Sequence, residues 1–429
     1  MAGYDAVIVG AGSAGCVLAA RLSEDPACRV LLLEAGGAAR PPMWDVPGAS
    51  HWMQDGPMDW GFRTEPQDAL HGRRIALARG RGLGGSSAIN YCLYVRGNPG
   101  DYDLWAQRGC SGWGWADVLP YFKRAEANAV HDDALHGTDG PLHVEDYAAS
   151  NPLEELYFEA CEQAGVPRNP DFNGAAQAGC GRYQATVRDG RRWGAAQAYL
   201  EPALARPNLT VETGCLVAGL TFEGARCTGV EYLQGREVKR AEAREVVLAA
   251  GALGSPHVLL LSGVGPAEEL AAHGIETVAD LPGVGRNLLD HIGQSPVDLL
   301  VKDPEKWGFA DPGLEAQKAR FERDRTGSFG SMYNHAGAFV HMRPGEADPS
   351  AQMYFSVTLA ERYRGTGAPA AARLSGCVCR SRSEGRVTLA SASPFDKPLI
   401  DPRYFSDPDD LERTVEIVEW NREIAMSDA

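Results

Sequence analysis

The residues best suited to chemistry stand at the start of the chain, in Gly10-Ala-Gly12-Ser-Ala-Gly15, with Glu34 nineteen residues further on. Glycines at this spacing serve a phosphate ligand. Gly10 permits a tight turn, Gly12 lets backbone N–H groups approach a pyrophosphate, and Gly15 lets a helix pack closely on a strand. A helix beginning there turns its partial positive charge toward the phosphates. An acid such as Glu34 can accept hydrogen bonds from a ribose diol. The flanking residues supply the required context. Ala6 to Val9 reads as a buried parallel strand, Cys16 to Leu22 as a helix and Val30 to Glu34 as a second strand. Strand, glycines, helix, strand and acid together specify binding of an adenine dinucleotide.

The elements that must position this fingerprint follow along the chain. Gly36 to Arg74 is irregular and rich in Pro, Gly, Met and Trp, and so long an excursion suits a lid over a ligand. A second glycine-rich run, Leu77 to Asn90, can form another anion-binding nest beside the first. Gly112 to Lys123 and Asn151 to Gly165 read as helices with apolar faces. Strands are expected at Leu209 to Val211, Leu216 to Phe222, Gly229 to Leu233 and Glu245 to Gly251. Ala252 to Ser262 reads as a helix whose start is marked by Ser255 and Pro256. Met353 to Leu359 and Leu374 to Leu389 alternate, as strands of a separate, solvent-facing antiparallel sheet do. The expected fold class is α/β. A Rossmann-like lobe is built from discontinuous segments, and an α+β lobe with an antiparallel sheet lies over its cofactor face.

Composition narrows the partners. With 44% hydrophobic and 23% charged residues, the 429-residue chain is an ordinary globular protein of two lobes. A net charge of −16 argues against a nucleic-acid partner, since phosphates need Lys and Arg. No apolar run approaches the ~20 residues of a membrane span. The first strand leaves no room for a signal peptide, which favours the cytoplasm, with peripheral attachment at the inner membrane left open. The ten cysteines form no CxxC pair and have no histidine at zinc spacing, so they read as reduced thiols and no metal site is expected.

With both glycine runs in view, the chain resembles the glucose–methanol–choline (GMC) oxidoreductases, in their choline dehydrogenase and alcohol dehydrogenase branch. Leu77 to Arg96 is similar to the family's first signature and Gly251 to Gly265 to its second. Asp59-Trp60, Gly97 to Tyr102, Arg206 to Leu209 and Gly283 to His291 fit the same pattern. The resemblance implies FAD, and oxidation of a primary alcohol (choline-like, aliphatic or aromatic) to an aldehyde by hydride transfer to flavin N5. It implies a small-molecule alcohol substrate and an electron acceptor such as a quinone, a dye or oxygen; oligomeric state is not specified. Carried over by position, Gly10, Gly12, Ser13, Ala14 and Gly15 cradle the pyrophosphate, and Glu34 with Ala35 holds the adenosine ribose. Arg79, Leu83, Ser86, Asn90, Tyr91, Cys92 and Leu93 line the flavin and its phosphates, and the Val217 backbone holds the adenine edge. Residues 1–150 and 196–295 are expected to form the FAD-binding domain. Residues 151–195 and 296–429 are expected to form the substrate domain, with only the start of the family's C-terminal module.

Alcohol oxidation also needs a base for the hydroxyl proton. The family's base is a histidine following a His-Pro-x-Gly-Thr type of motif, and no such motif occurs among the ten histidines. The resemblance places on the order of a hundred further residues after Asp401-Pro-Arg-Tyr, so a C-terminally truncated member without its catalytic histidine is expected. His291, beside Asp290, reads as structural or cofactor-proximal, and His335 stands where relatives carry an acid. Two alternatives remain: an inactive flavin-binding fragment, and a fatty acid photodecarboxylase-like flavoprotein suggested by Cys379-Arg380. A hydrolase is disfavoured because no Gly-x-Ser-x-Gly elbow is present. An NAD-dependent dehydrogenase leaves the two later signatures unexplained.

Overall fold

The structure, a computed structural model, describes residues 3–147, 151–293, 296–303, 307, 314–327, 329–330, 335–359 and 370–429. In chain order the elements that position the site begin with β1 (Tyr4–Val9), α1 (Ser13–Leu22), β2 (Val30–Glu34), α2 (Pro152–Gln163) and β3 (Gly179–Arg182). β4 (Leu209–Thr213), β5 (Cys215–Glu223), β6 (Arg226–Gln234), β7 (Glu237–Leu248) and α3 (Gly251–Leu261) follow. The last are β8 (Val297–Leu300), β9 (Ala336–Val340), β10 (Ala351–Leu359), β11 (Ala370–Val378) and α4 (Pro408–Ala425).

The first sheet has the order β4-β2-β1-β7-β6-β5. Its β4, β2, β1 and the end of β7 run parallel, with Val7 opposite Leu31 and Val246. Parallel strands are covered on both faces, which is why Val30-Leu-Leu-Leu-Glu34 is apolar to its last residue and wholly buried. β7 starts earlier than its apolar end suggests. Glu237 to Glu242 pairs antiparallel with β6, and Ala243 to Leu248 then runs parallel to β1. Its first half alternates exposed charges with buried Ala241 and Ala243, a half-solvated pattern that an apolar-run search passes over.

α3 also starts early. It begins at Gly251, with Ala250 as N-cap, so Ser255 and Pro256 do not mark its start. Gly251 has φ +80, which turns the chain from β7 directly into the helix without a loop. Pro256 is therefore inside the helix, where it removes one backbone donor.

The second sheet, β8-β11-β10-β9-β3, is antiparallel; its edge strand β8 is exposed at Asp298 to Leu300, but its central strands are covered on both faces. On one side Met353, Phe355 and Leu374 pack with Tyr157 and Phe158 of α2 and with Ile417 and Ile424 of α4. On the other side Tyr354 packs with Phe172, Tyr183 and Phe339. The two helices and the Phe172 segment cover faces that local alternation assigns to water. β11 ends at Val378, and Arg386–Thr388 pairs instead with Leu399–Asp401. Val387 and Ile400 of that pair pack with Phe62, Leu77 and Leu253, on the side of the first lobe.

A buried ionic network braces the segment after the second glycine run. Arg96 pairs with Glu126, and both are sealed from solvent. His136 bonds through Nδ1 to Glu126 (3.2 Å) and through Nε2 to Asp171 (2.9 Å). Burial alone lowers the imidazole pKa, but the two carboxylates outweigh it and raise it to about 9. A raised histidine pKa gives stability that is complete below its unfolded value of 6.5 and lost as pH rises through about 9. Thermal melts are therefore expected to fall between those two pH values, and His136→Gln should flatten that fall. Glu126→Gln should destabilise by ~3 kcal/mol or more, because it strands Arg96.

Candidate functional site

A cleft of about 530 Å³ opens at the carboxyl ends of β1, β2 and β7, where Val9, Leu33 and Leu248 form its floor. This is where open α/β sheets hold ligands. One wall is the turn from β1 into α1, with Gly10, Gly12, Ser13 and Ala14. Glu34 and Ala35 continue it, and Arg79, Gly80, Gly85 and Ser86 face it from the second glycine run. Cys215 to Val217 of β5 and the face of α3 complete the opposite wall. Trp60 and Phe62 stack at 5.7 Å between centroids and roof the cleft together with residues 394–398. Lys397 Nζ donates to the Gly61 carbonyl (2.9 Å), tying the two parts of the roof together.

The glycines separate by purpose. A Cβ on Gly15 lands 1.8 Å from the Gly10 oxygen, so Gly15 is required by helix–strand packing and is buried away from the cleft. Gly10 has φ +98, and a Cβ there meets the Ala249 oxygen at 2.7 Å. A Cβ on Gly85 meets Gly12 Cα at 2.6 Å, so the two glycine runs touch. Gly12 differs from all of these. Its φ is an ordinary −75, and a Cβ on it meets no protein atom closer than 3.9 Å. No described protein atom demands a glycine there, and its backbone is left open to a ligand in the cleft. α1 has no side-chain cap and no acid in its first turn, so its N–H groups remain free for an anion. The residues present thus fit a dinucleotide pyrophosphate.

Glu34 clamps backbone from three stretches of the chain. Its Oε2 accepts from Ala11 N, and its Oε1 from Gly36 N and Gly82 N, all at 2.8 Å. Burial pushes the carboxyl above its usual range, opposed by these three donors. A carboxylate has about four acceptor sites, so one is left for a ligand hydroxyl. Val217 lies beside a β-bulge, where the register shifts between Val217 and Gly219 and the ladder to β6 is interrupted. Ser86 Oγ accepts from Gly80 N (3.1 Å), shaping the second run.

Leu83 and Asn90 to Leu93 are not part of this cleft's lining. Leu83 packs into the core around Ile8 and Leu32. Asn90 Oδ1 accepts from Cys92 N and from Arg192 (2.7 Å). Cys92 is buried with Ala185 and Val187 at φ +58, and Leu93 pairs with Ala185. Tyr91 is exposed, and its carbonyl accepts from Tyr147 OH. The organiser of this loop is Arg192, a residue sequence reading did not single out. It is 1% exposed and donates to Ser87 O, Asn90 Oδ1, Trp44 O and Ser50 Oγ. His257, also unassigned by sequence reading except as part of the second signature, lines the cleft from α3.

The histidines weighed from sequence are placed elsewhere. His291 is exposed; its backbone N–H donates to Asp290 Oδ1, while Tyr404 OH donates to Asp290 Oδ2 (2.6 Å). Asp290 is thus engaged by Tyr404. His335 is buried and bonded through Nε2 to Glu154, which also accepts from Arg182 (2.8 Å). Arg380 pairs with Asp101 (2.5 Å) and donates to Pro349 O, and burial pushes the Cys379 thiol far up. That pair therefore reads as structural. Among the described residues no cluster of metal-ligating side chains occurs, and no helix is long and apolar enough to cross a membrane.

Comparison with known proteins decides the family. The GMC oxidoreductase model matches residues 4–293, and its C-terminal counterpart matches residues 381–429. The chain belongs to the GMC oxidoreductase family. It is 41% identical over 431 residues to the oxygen-dependent choline dehydrogenase of Brucella anthropi, covering 98% of this chain and 77% of that protein. It is 39% identical to an alcohol dehydrogenase [acceptor] of Pseudomonas putida, covering 98% of this chain and 78% of that protein. The pyridoxine 4-oxidase of Mesorbium loti superposes with a TM-score of 0.89 at 33% identity, covering 99% of this chain and 81% of that one. The protein is accordingly an oxidoreductase acting on CH–OH donors, with FAD as its cofactor.

Gly12 and Gly15 separate cofactor binding from folding. Gly12→Ala should leave apo-protein melting within ~0.5 kcal/mol of wild type and weaken FAD binding at least ~10-fold, read by quenching of flavin fluorescence. Gly15→Ala should lower apo-protein stability by ~3 kcal/mol through overpacking against backbone.

Proposed function

We propose that this GMC oxidoreductase oxidises a primary alcohol to its aldehyde, with a choline-like, aliphatic or aromatic alcohol as substrate. The observation that carries the reading is the Gly12 cradle at the N-terminus of α1, left open in a chain of this family. When bound, FAD accepts the carbinol hydride at flavin N5. The chain's own residues then have separable tasks. The N–H groups opening α1 and the facing glycine run hold the pyrophosphate, which they can do without a cationic side chain. Glu34 offers its remaining acceptor site to the ribose diol, with Ala35 beside it. The Val217 backbone meets the adenine edge at the bulge. Arg79 and Ser86 face the phosphates, and the Asn90 to Leu93 loop, held by Arg192 and Tyr147, faces the flavin ring. Trp60 and Phe62 exclude water from the covered stretch.

The division of labour follows the same reading. Residues 1–150 and 196–295 bind the cofactor, and residues 151–195 and 296–429 shape the substrate side. The acceptor of the hydroxyl proton is not assigned to any of the chain's ten histidines. His335 is engaged by Glu154, and the contact that His291 makes to Asp290 is through its backbone N–H and not its ring. Electrons leave to oxygen, a quinone or a dye.

Reconstitution with FAD followed by anaerobic addition of choline, an aliphatic alcohol and benzyl alcohol tests this. Bleaching of the flavin absorbance by at least one alcohol is expected. A yellow protein that no alcohol bleaches is instead an inactive flavin-binding protein. A protein that stays colourless after reconstitution loses the cofactor reading altogether.

A further inference from the structure

The two halves of the roof over the cleft are held very differently. The Trp60 half is fixed by backbone: Trp60 N donates to Arg79 O (2.9 Å), and Phe62 pairs with Leu77. Asp59 Oδ1 adds bonds from Gly61 N and Arg79 N, both at 3.0 Å. The other half is a hairpin loop. It leaves the paired stretch Arg386–Thr388 and returns at Leu399–Asp401. Leu389 and Pro398 are buried at its two ends, while Phe395, Asp396 and Lys397 between them are exposed. Phe395 is 69% exposed although it borders the cleft.

Inside the loop the polar groups bond to one another. Ser391 Oγ donates to Asp396 Oδ2 (2.6 Å) and accepts from Ser393 N (3.0 Å). Asp396 N donates to Ser393 O (3.2 Å), and Phe395 N to Ser393 Oγ (3.3 Å). These bonds make the tip a unit that keeps its own shape. Toward the rest of the protein residues 390–397 make, among the described residues, one hydrogen bond, from Lys397 Nζ to the Gly61 carbonyl (2.9 Å). The same ammonium lies 6.0 Å from the Phe62 ring centroid. Both contacts are at the surface, where water competes for the ammonium. A unit that is rigid within, pivoted at two buried ends and tied at one exposed point is built to move as a body.

We propose that residues 390–397 are a strap that swings open to admit the dinucleotide and closes over it, with Lys397 on Gly61 as its latch. The proposal rests on the cofactor reading above and adds to it how the ligand enters and leaves. Breaking the latch lets the strap open more often in the empty and in the loaded protein alike. Association and dissociation then quicken together, and affinity is preserved. A lysine that held the ligand itself would behave otherwise. Its loss would give faster dissociation and weaker affinity without faster association.

Stopped-flow mixing of the apo-protein with FAD, and displacement of bound FAD, read the two rates. Lys397→Met, which keeps the stem and loses the donor, should raise both ~3–10-fold, with Kd within ~2-fold of wild type. Lys397→Arg, which restores a donor, should return both rates to within ~2-fold of wild type. Lys397 is exposed, so the melt of either apo-variant should match that of wild type. Hydrogen exchange supplies a second reading. In the apo-protein the strap amides should exchange faster than those of Arg386–Thr388 and Leu399–Asp401, and bound FAD should slow them. Unchanged rates in Lys397→Met overturn the proposal, as does weaker affinity without faster association. Strap amides as well protected in the apo-protein as the flanking strands overturn it too. A wild-type protein that takes up no FAD overturns the cofactor reading itself, and the strap with it.

Discussion

The cleft depends on one carboxylate. Glu34, at the end of β2, takes N–H groups from Ala11, Gly36 and Gly82, which belong to three separate stretches of chain. Each is a hydrogen bond to a buried acid, a class worth ~1.5–3 kcal/mol. The three together align the first glycine turn, the start of the long excursion and the second glycine run. Their convergence forces backbone to pass against backbone. A Cβ on Gly36 would sit 2.5 Å from Gly82 N, and one on Gly85 would sit 2.6 Å from Gly12 Cα. The same side chain that knots the cleft is the one proposed to meet the ribose. The geometry of the protein and the recognition of its ligand thus share a single group, and a change at Glu34 cannot affect one without the other.

Buried guanidinium groups extend this logic to the loops that no periodic pattern holds. Arg192 gathers Trp44, Ser50, Ser87 and Asn90, and Arg96 anchors Glu126 and through it His136 and Asp171. A buried charge left without partners is expensive, so each such arginine dictates where several carbonyls and side chains must lie. Loops braced in this way act as rigid walls, which binding of a large, extended ligand requires. The roof is held more lightly. Residues 394–398 reach back across the chain to Trp60 and Phe62, with Lys397 donating to Gly61 as the polar tie between them.

Much of the cofactor side was legible in the residues because its constraints are local. β1, α1 and β2 follow from apolar runs and glycine spacing, and Gly10, Gly12, Ser13, Ala14, Glu34, Ala35, Arg79, Ser86 and Val217 do meet in one cleft. Where the reading departed from the structure, a distant segment was responsible. The strands around Met353 and Leu374 look half-solvated by alternation, yet α2, α4 and the Phe172 segment cover both faces. Pro256 looks like a helix start, but φ +80 at Gly251 begins the helix earlier. Asn90 to Leu93 lie outside the lining of that cleft, in a loop clamped by Arg192, whose partners lie up to 148 positions away.

By itself the sequence determined the dinucleotide fingerprint, the family to which the two glycine-rich signatures belong and the lobe that carries them. These are set by spacing within a few tens of residues, where backbone conformation and strand period are written directly in residue type. Only the tertiary structure decided that Glu34 is a three-way clamp and that Arg192 gathers Trp44, Ser50, Ser87 and Asn90. Each of these depends on which segments meet in space. That is set by the desolvation of a few buried polar groups, which have one satisfactory arrangement in the folded chain and leave no periodic trace along it.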